Sequence, residues 1–306
     1  MTQGREPQSN QVPAPDIVSP RPGGDLKDGV GRGLGPALAM LWSGALRNHH
    51  AVAISRSVHW FVPIGLVVGL GWMGAYRLAW RLFGDPDVTQ VRLLPALAVL
   101  WLEMGVTGRA LISGFWSCFA RPEADAAPDG TARPAQDRSA ISAAVWTTGP
   151  LMVVTFLVLI VSLPERIGWY AASDDWRAWF NPIYPIATYR PLLLAPLWGR
   201  WGVLLGSGIG SPSNRADELF RGVSRAARPL PVMGWMALLV LLGALYANRE
   251  SHVEGALATG LLVLLITYLF AARLALRRGG QDRAGALACG FVAECVFLAL
   301  YRWLCV

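Results

Sequence analysis

Charged side chains are scarce in this chain. Only 15% of its 306 residues are Asp, Glu, Lys or Arg, against roughly 25% in an ordinary soluble domain. With 54% hydrophobic residues and a mean hydropathy of +0.39, too little charge is present to coat the core such a composition would need. This excludes a soluble enzyme and points to the bilayer as a second apolar solvent. Cysteine is also scarce. Cys118, Cys289, Cys295 and Cys305 stand in apolar stretches with no Cys-x-x-Cys spacing, which implies neither a disulfide framework nor a zinc site and leaves them as packing residues. No basic block interleaved with aromatics is present, so nucleic acid is not an expected partner. The excess of 27 Lys+Arg over 20 Asp+Glu, +7 in all, reads as loop charge facing anionic lipid.

Large apolar residues are nearly missing from residues 1–32, which are rich in Pro, Gly, Gln, Asp and Ser. Such a segment cannot bury enough surface to offset the entropy of ordering and reads as a disordered cytoplasmic tail. The first apolar run, Leu34 to Leu46, begins too late for a secretory signal peptide. It is also too short to cross a hydrocarbon core that takes about 20 helical residues, so an interfacial or re-entrant helix is expected there. Residues 33–306 then form a single transmembrane domain. Apolar segments recur near Trp60 to Phe83, Leu93 to Ala120, Ile141 to Leu163, Pro185 to Gly206, Leu230 to Ala247, Gly255 to Leu276 and Gly285 to Leu304. Each must satisfy its backbone internally within lipid, so the expected fold is an all-α helical bundle with about seven transmembrane helices. The fourth segment is interrupted by Arg190, Pro191, Pro196 and Arg200. Gly65-x-x-x-Gly69 in the first is a small-xxx-small pattern suited to close helix packing.

Orientation follows from the arginines of the connections. The segments 121–140, 207–229 and 277–284 hold Arg121, Arg133, Arg138, Arg215, Arg221, Arg225, Arg228, Arg277, Arg278 and Arg283, whereas the alternate ones hold Arg166, Arg177 and Arg249. Ten against three predicts a cytoplasmic-membrane protein with its N-terminus in the cytoplasm and its C-terminus outside.

Ionisable residues within spans are costly and point to a functional interior. Here they are Glu103, Arg109, Arg200 and Glu294, and a buried partner such as Arg109 or Arg200 is expected for Glu294. The bland alternative is structural pairing. His49 and His50 are adjacent and so do not share a helical face as metal ligands would. Glu123, Asp125, Asp129 and Asp137 lie on a Pro/Ala-rich loop, as a solvated run or, less readily, an Mg²⁺ site. A Walker loop, a Gly-x-Ser-x-Gly elbow, a zincin motif and the Asp-Gly-x-x-Ala-Arg signature of CDP-alcohol phosphotransferases are all missing.

Taken in order, several short elements resemble the cobalamin synthase family, adenosylcobinamide-GDP ribazoletransferase, over roughly residues 34–304. They are Phe61-Val62-Pro63-Ile64-Gly65 with Gly69, Thr107-Gly108, the run Ser139 to Ala143, Ala195-Pro196 with Arg200-Trp201, and Arg277 with Gly279-Gly280 followed by Glu294. Where the family carries its aspartate motif after Thr-Gly, this chain has Leu111, Ser113, Gly114, Ser117 and Ala120. Asp282 with Gly285-Ala286 matches a later family motif if two residues are deleted, while the spacing to Glu294 matches without the deletion. The resemblance implies a membrane transferase that joins GDP-activated cobinamide to α-ribazole or its phosphate with release of GMP. Ser113, Ser117, Asp282 and Glu294 would stand at catalytic positions, and Arg109, Ser139 and Arg200 at substrate-binding ones. Mg²⁺ is the implied cofactor, and a corrinoid nucleotide and α-ribazole are the implied substrates. A catalytically inert relative that binds a corrinoid or scaffolds partner enzymes is the alternative.

Overall fold

A computed structural model describes residues 33–42, 51–83, 93–106, 110–120, 150–163, 189–214, 216–246 and 252–304. The described residues are helical, with one isolated bridge between Pro212 and Gln281. The elements are α1 (Leu34–Leu41), α2 (Ala51–Arg56) with a 3-10 turn (Ser57–Trp60), α3 (Phe61–Phe83), α4 (Leu93–Val106), α5 (Ala110–Ala120) and α6 (Pro150–Val161). They continue with α7 (Tyr189–Gly208), α8 (Glu218–Ala226), α9 (Pro229–Tyr246), α10 (His252–Arg278) and α11 (Arg283–Leu304). The tail 1–32, His49, His50, Arg109, Ser139 and the carboxylates of 121–140 lie outside the described residues.

Four stretches are long and apolar enough to cross a membrane: Ile54–Phe83, Pro229–Tyr246, Glu254–Arg278 and Arg283–Tyr301. A fifth arises if α4 and α5 count as one broken span. The expected continuous span from Leu93 to Ala120 is instead two helices bent by 82°. The expected count of about seven is not reached by length and composition among the described residues. α6 is short, and α7 fails for an instructive reason. From Arg190 to Ser207 every residue of α7 is buried, packed against α3, α8, α9, α10 and α11. A helix sheathed by other helices need not be apolar throughout, so it can hold Arg190, Pro196 and Arg200. Leu230, Leu241, Leu245, Leu261, Leu265 and Leu269 on α9 and α10 are more than half exposed, an arrangement suited to lipid rather than water.

Glycine lets α7 be gripped from two sides. A Cβ at Gly65 of α3 would lie 2.8 Å from the Pro196 carbonyl oxygen, and one at Gly69 would collide with that of Leu193. On the opposite side, a Cβ at Gly202 would lie 2.8 Å from the Cys289 carbonyl oxygen of α11. Backbones this close leave no room for a methyl group, which is the packing a small-xxx-small pattern permits. Around this core, Phe156 of α6 meets Trp72 edge-on at 5.4 Å and stacks on Phe291 at 6.1 Å. The α1 helix packs against the 3-10 turn, α2 and α8, with Pro36, Ala37, Ala39, Met40 and Leu41 buried. Protein therefore covers most of its surface.

Candidate functional site

Of the residues singled out from the sequence, those that are described fall into two places. The first is a cavity of about 420 Å³ where the starts of α8 and α11 meet α5, lined by Ser113, Gly114, Ser117, Asp217, Asp282 and Arg283 among others. The connection after α10 builds it. Gly279, at φ 65°, turns the chain as only glycine does without strain, and the Gly280 N–H donates to the Ala275 carbonyl at 2.9 Å. A Cβ at Gly280 would meet the Ser213 backbone at 2.8 Å. Gln281 then locks onto the loop before α8: its N–H donates to the Ser211 carbonyl at 2.9 Å and its carbonyl accepts from Ser213 N–H at 2.7 Å. Two helix starts are thereby fixed side by side. Each carries an aspartate that accepts a backbone N–H three residues on, Asp217 from Phe220 and Asp282 from Gly285, both at 2.7 Å. That is the expected chemistry of a helix N-cap.

Ser113 and Ser117 stand one turn apart on α5 and line the same cavity. Their hydroxyls turn back onto their own helix, donating to the Ala110 carbonyl at 3.2 Å and the Gly114 carbonyl at 2.9 Å. Arg278 ties the walls together, donating to Asp282 at 3.1 Å and to the Ser117 carbonyl at 3.1 Å. Arg283 donates to the carbonyls of Ala39, Met40 and Trp42, so it clamps the C-terminal end of α1, where a cation is favoured. Nothing in the sequence reading singled out Asp217. An Asp before Glu218 and an amphipathic stretch is an N-cap signal, but its position beside Asp282 depends on the loop pairing.

The resemblance implies Mg²⁺, and the described donor set does not fit a cage for it. Both carboxylates already accept helix N–H groups, the two hydroxyls face their own backbone, and no group of three or more His, Cys, Asp or Glu side chains converges among the described residues.

The second place lies within the bundle. Arg200 Nη2 donates to Glu103 Oε1 at 2.8 Å, and Arg200 Nη1 lies 3.7 Å from Glu294 Oε2. The Trp72 indole donates to the other Glu103 oxygen at 3.0 Å. All three charged residues are at most 3% exposed. Neither Glu294 oxygen has a hydrogen-bond donor among the described residues, and a Cβ at Gly199 would lie 2.8 Å from Glu294 Oε2, so glycine makes room for that carboxylate. Glu294 is twelve residues beyond Asp282 on α11, about 18 Å along a helix axis. Ser113, Ser117 and Asp282 thus share one cavity, while Arg200 and Glu294 belong to a separate buried cluster. No family model matches this chain, and no curated protein or solved structure does either.

Proposed function

We propose that this protein is a divergent membrane transferase of the cobalamin synthase type, acting on a nucleotide-activated corrinoid at the cytoplasmic face. The observation that carries the reading is the meeting of Ser113 and Ser117 with Asp282 in one cavity. These positions lie far apart in the chain and were selected only by the order of motifs. Arg278, hydrogen-bonded to Asp282 and to the Ser117 carbonyl on the walls of that cavity, is a cation suited to an incoming phosphate. The reaction would be attack by an α-ribazole hydroxyl on the cobinamide-bound phosphorus of the diphosphate, with GMP leaving. In this reading the cation of Arg278 offsets charge on the diphosphate oxygens, and the serines present hydroxyls to them once rotated off their helix. The N-in, C-out orientation with seven spans belongs to the same proposal. It puts the loops bearing Asp217 and Asp282 on the side where soluble nucleotides are found.

A second reading, a relative that binds the corrinoid nucleotide without turning it over, is favoured by the engaged carboxylates described above. Both are tested with purified protein in lipid nanodiscs, adenosylcobinamide-GDP and α-ribazole, with and without Mg²⁺. GMP release abolished by Asp282→Asn supports the transferase. Retention of the coloured corrinoid without GMP release supports the binding protein. Neither retention nor release refutes both.

A further inference from the structure

We propose that the arginine-lined pocket between α2 and α8 is a binding site for the headgroup of an anionic phospholipid. This inference is independent of the transferase reading. The pocket, about 770 Å³, is walled by Ile54 and Ser55 on one side and by Glu218, Arg221, Gly222, Arg225, Ala226 and Arg228 on the other. α8 buries Phe220 and Val223 against the protein and leaves Arg221, Arg225 and Arg228 exposed. A Cβ at Gly222 would lie 2.6 Å from the Ile54 side chain, so the two walls are held in close contact. Arg221 is braced by a hydrogen bond to the Asn214 carbonyl at 3.0 Å. Among the described residues no ion pair engages Arg225 or Arg228.

The depth of the pocket identifies the ligand class. Ile54 begins one membrane-crossing stretch and Pro229, directly after Arg228, begins another. Leu230 is 84% exposed, a degree that suits hydrocarbon, so Arg228 lies within two residues of the apolar boundary. Three guanidinium groups at that level meet lipid phosphates, and guanidinium forks match phosphate oxygens well. Glu218 on the same wall disfavours a doubly charged free phosphate and offers an acceptor to a headgroup hydroxyl. A singly charged phosphodiester with a hydroxylated headgroup, as in phosphatidylglycerol, satisfies both the arginines and Glu218.

The experiment uses the full chain in phosphatidylcholine nanodiscs with and without phosphatidylglycerol, reading bound lipid by native mass spectrometry and thermal stability in parallel. Retained phosphatidylglycerol and a raised Tm are expected for the native protein. Arg225→Gln with Arg228→Gln should weaken retention about thirtyfold, from ~1 kcal/mol per arginine near a membrane surface. Arg273→Gln with Arg277→Gln removes equal charge from exposed positions on α10 and should leave retention within twofold. Equal loss in the two pairs would reduce the effect to overall charge and overturn the site. A third arm adds inorganic phosphate or glycerol phosphate to phosphatidylcholine discs. If either reproduces the full shift, the lipid assignment is wrong.

Discussion

Glu103 and Glu294 flank one buried guanidinium, yet replacing them should have very unequal effects. Both Glu103 oxygens accept, one from Arg200 at 2.8 Å and one from Trp72 at 3.0 Å. A glutamine there has a single acceptor oxygen, so its NH₂ must face either the guanidinium or the indole donor. Glu103→Gln therefore loses a charge-assisted bond and leaves a buried donor unpaired, about 3 kcal/mol in all. Glu294 is 3.7 Å from Arg200, and its attraction is weaker than that of Glu103 by about a quarter on separation alone. Among the described residues it has no hydrogen bond to lose, and Glu103 is a second carboxylate beside it. Glu294→Gln removes only this longer contact to Arg200 and should change stability by less than ~1 kcal/mol. Arg200→Met, which strands both carboxylates, should cost at least ~3 kcal/mol. Denaturant titration in mixed micelles, followed by the summed fluorescence of the 14 tryptophans, measures all three. If Glu294→Gln destabilises as much as Glu103→Gln, the short contact is not the one that holds the cluster.

Packing on α3 gives a paired test: Gly69→Ala forces a methyl onto the Leu193 carbonyl and should cost about 1–3 kcal/mol. Gly74→Ala meets nothing within 4 Å and should be neutral or stabilising by up to ~1 kcal/mol; equal melting shifts would contradict the close α3–α7 approach. Arg283→Ala removes the clamp on α1, so amide exchange in Leu34–Leu41 should speed up at least tenfold, and unchanged protection would show that the clamp is dispensable. Ser113→Asp with Ser117→Asp adds two carboxylates to a cavity that already holds Asp217 and Asp282. Stability should then rise with Mg²⁺, by about 2.7 kcal/mol at a hundred times the Kd, where the wild type does not respond. A flat titration would remove the cavity from consideration as a former metal site.

The all-helical class was legible in composition, because this little charge predicts lipid as solvent, and backbone in lipid must close its own hydrogen bonds. Gly65 and Gly69 were legible as a packing motif, and Glu294 and Arg200 as ionisable residues in need of partners, since the cost of burial is a property of the side chain alone. What the sequence left open was decided by contacts between segments distant in the chain. Hydropathy identifies helices that face lipid, so the innermost helix, α7, looked like the weakest span because of Arg190, Pro196 and Arg200. It proved to be the best buried because neighbouring helices supply the environment and Glu103 the counter-charge. The apolar run from Leu93 to Ala120 gave no sign of its 82° bend, because hydropathy is blind to direction. Asp217 and Asp282 meet only because Gln281 pairs with the Ser211–Ser213 backbone across 68 or more residues. Backbone pairing leaves no side-chain signature, so that juxtaposition, and with it the candidate site, exists only in the tertiary structure.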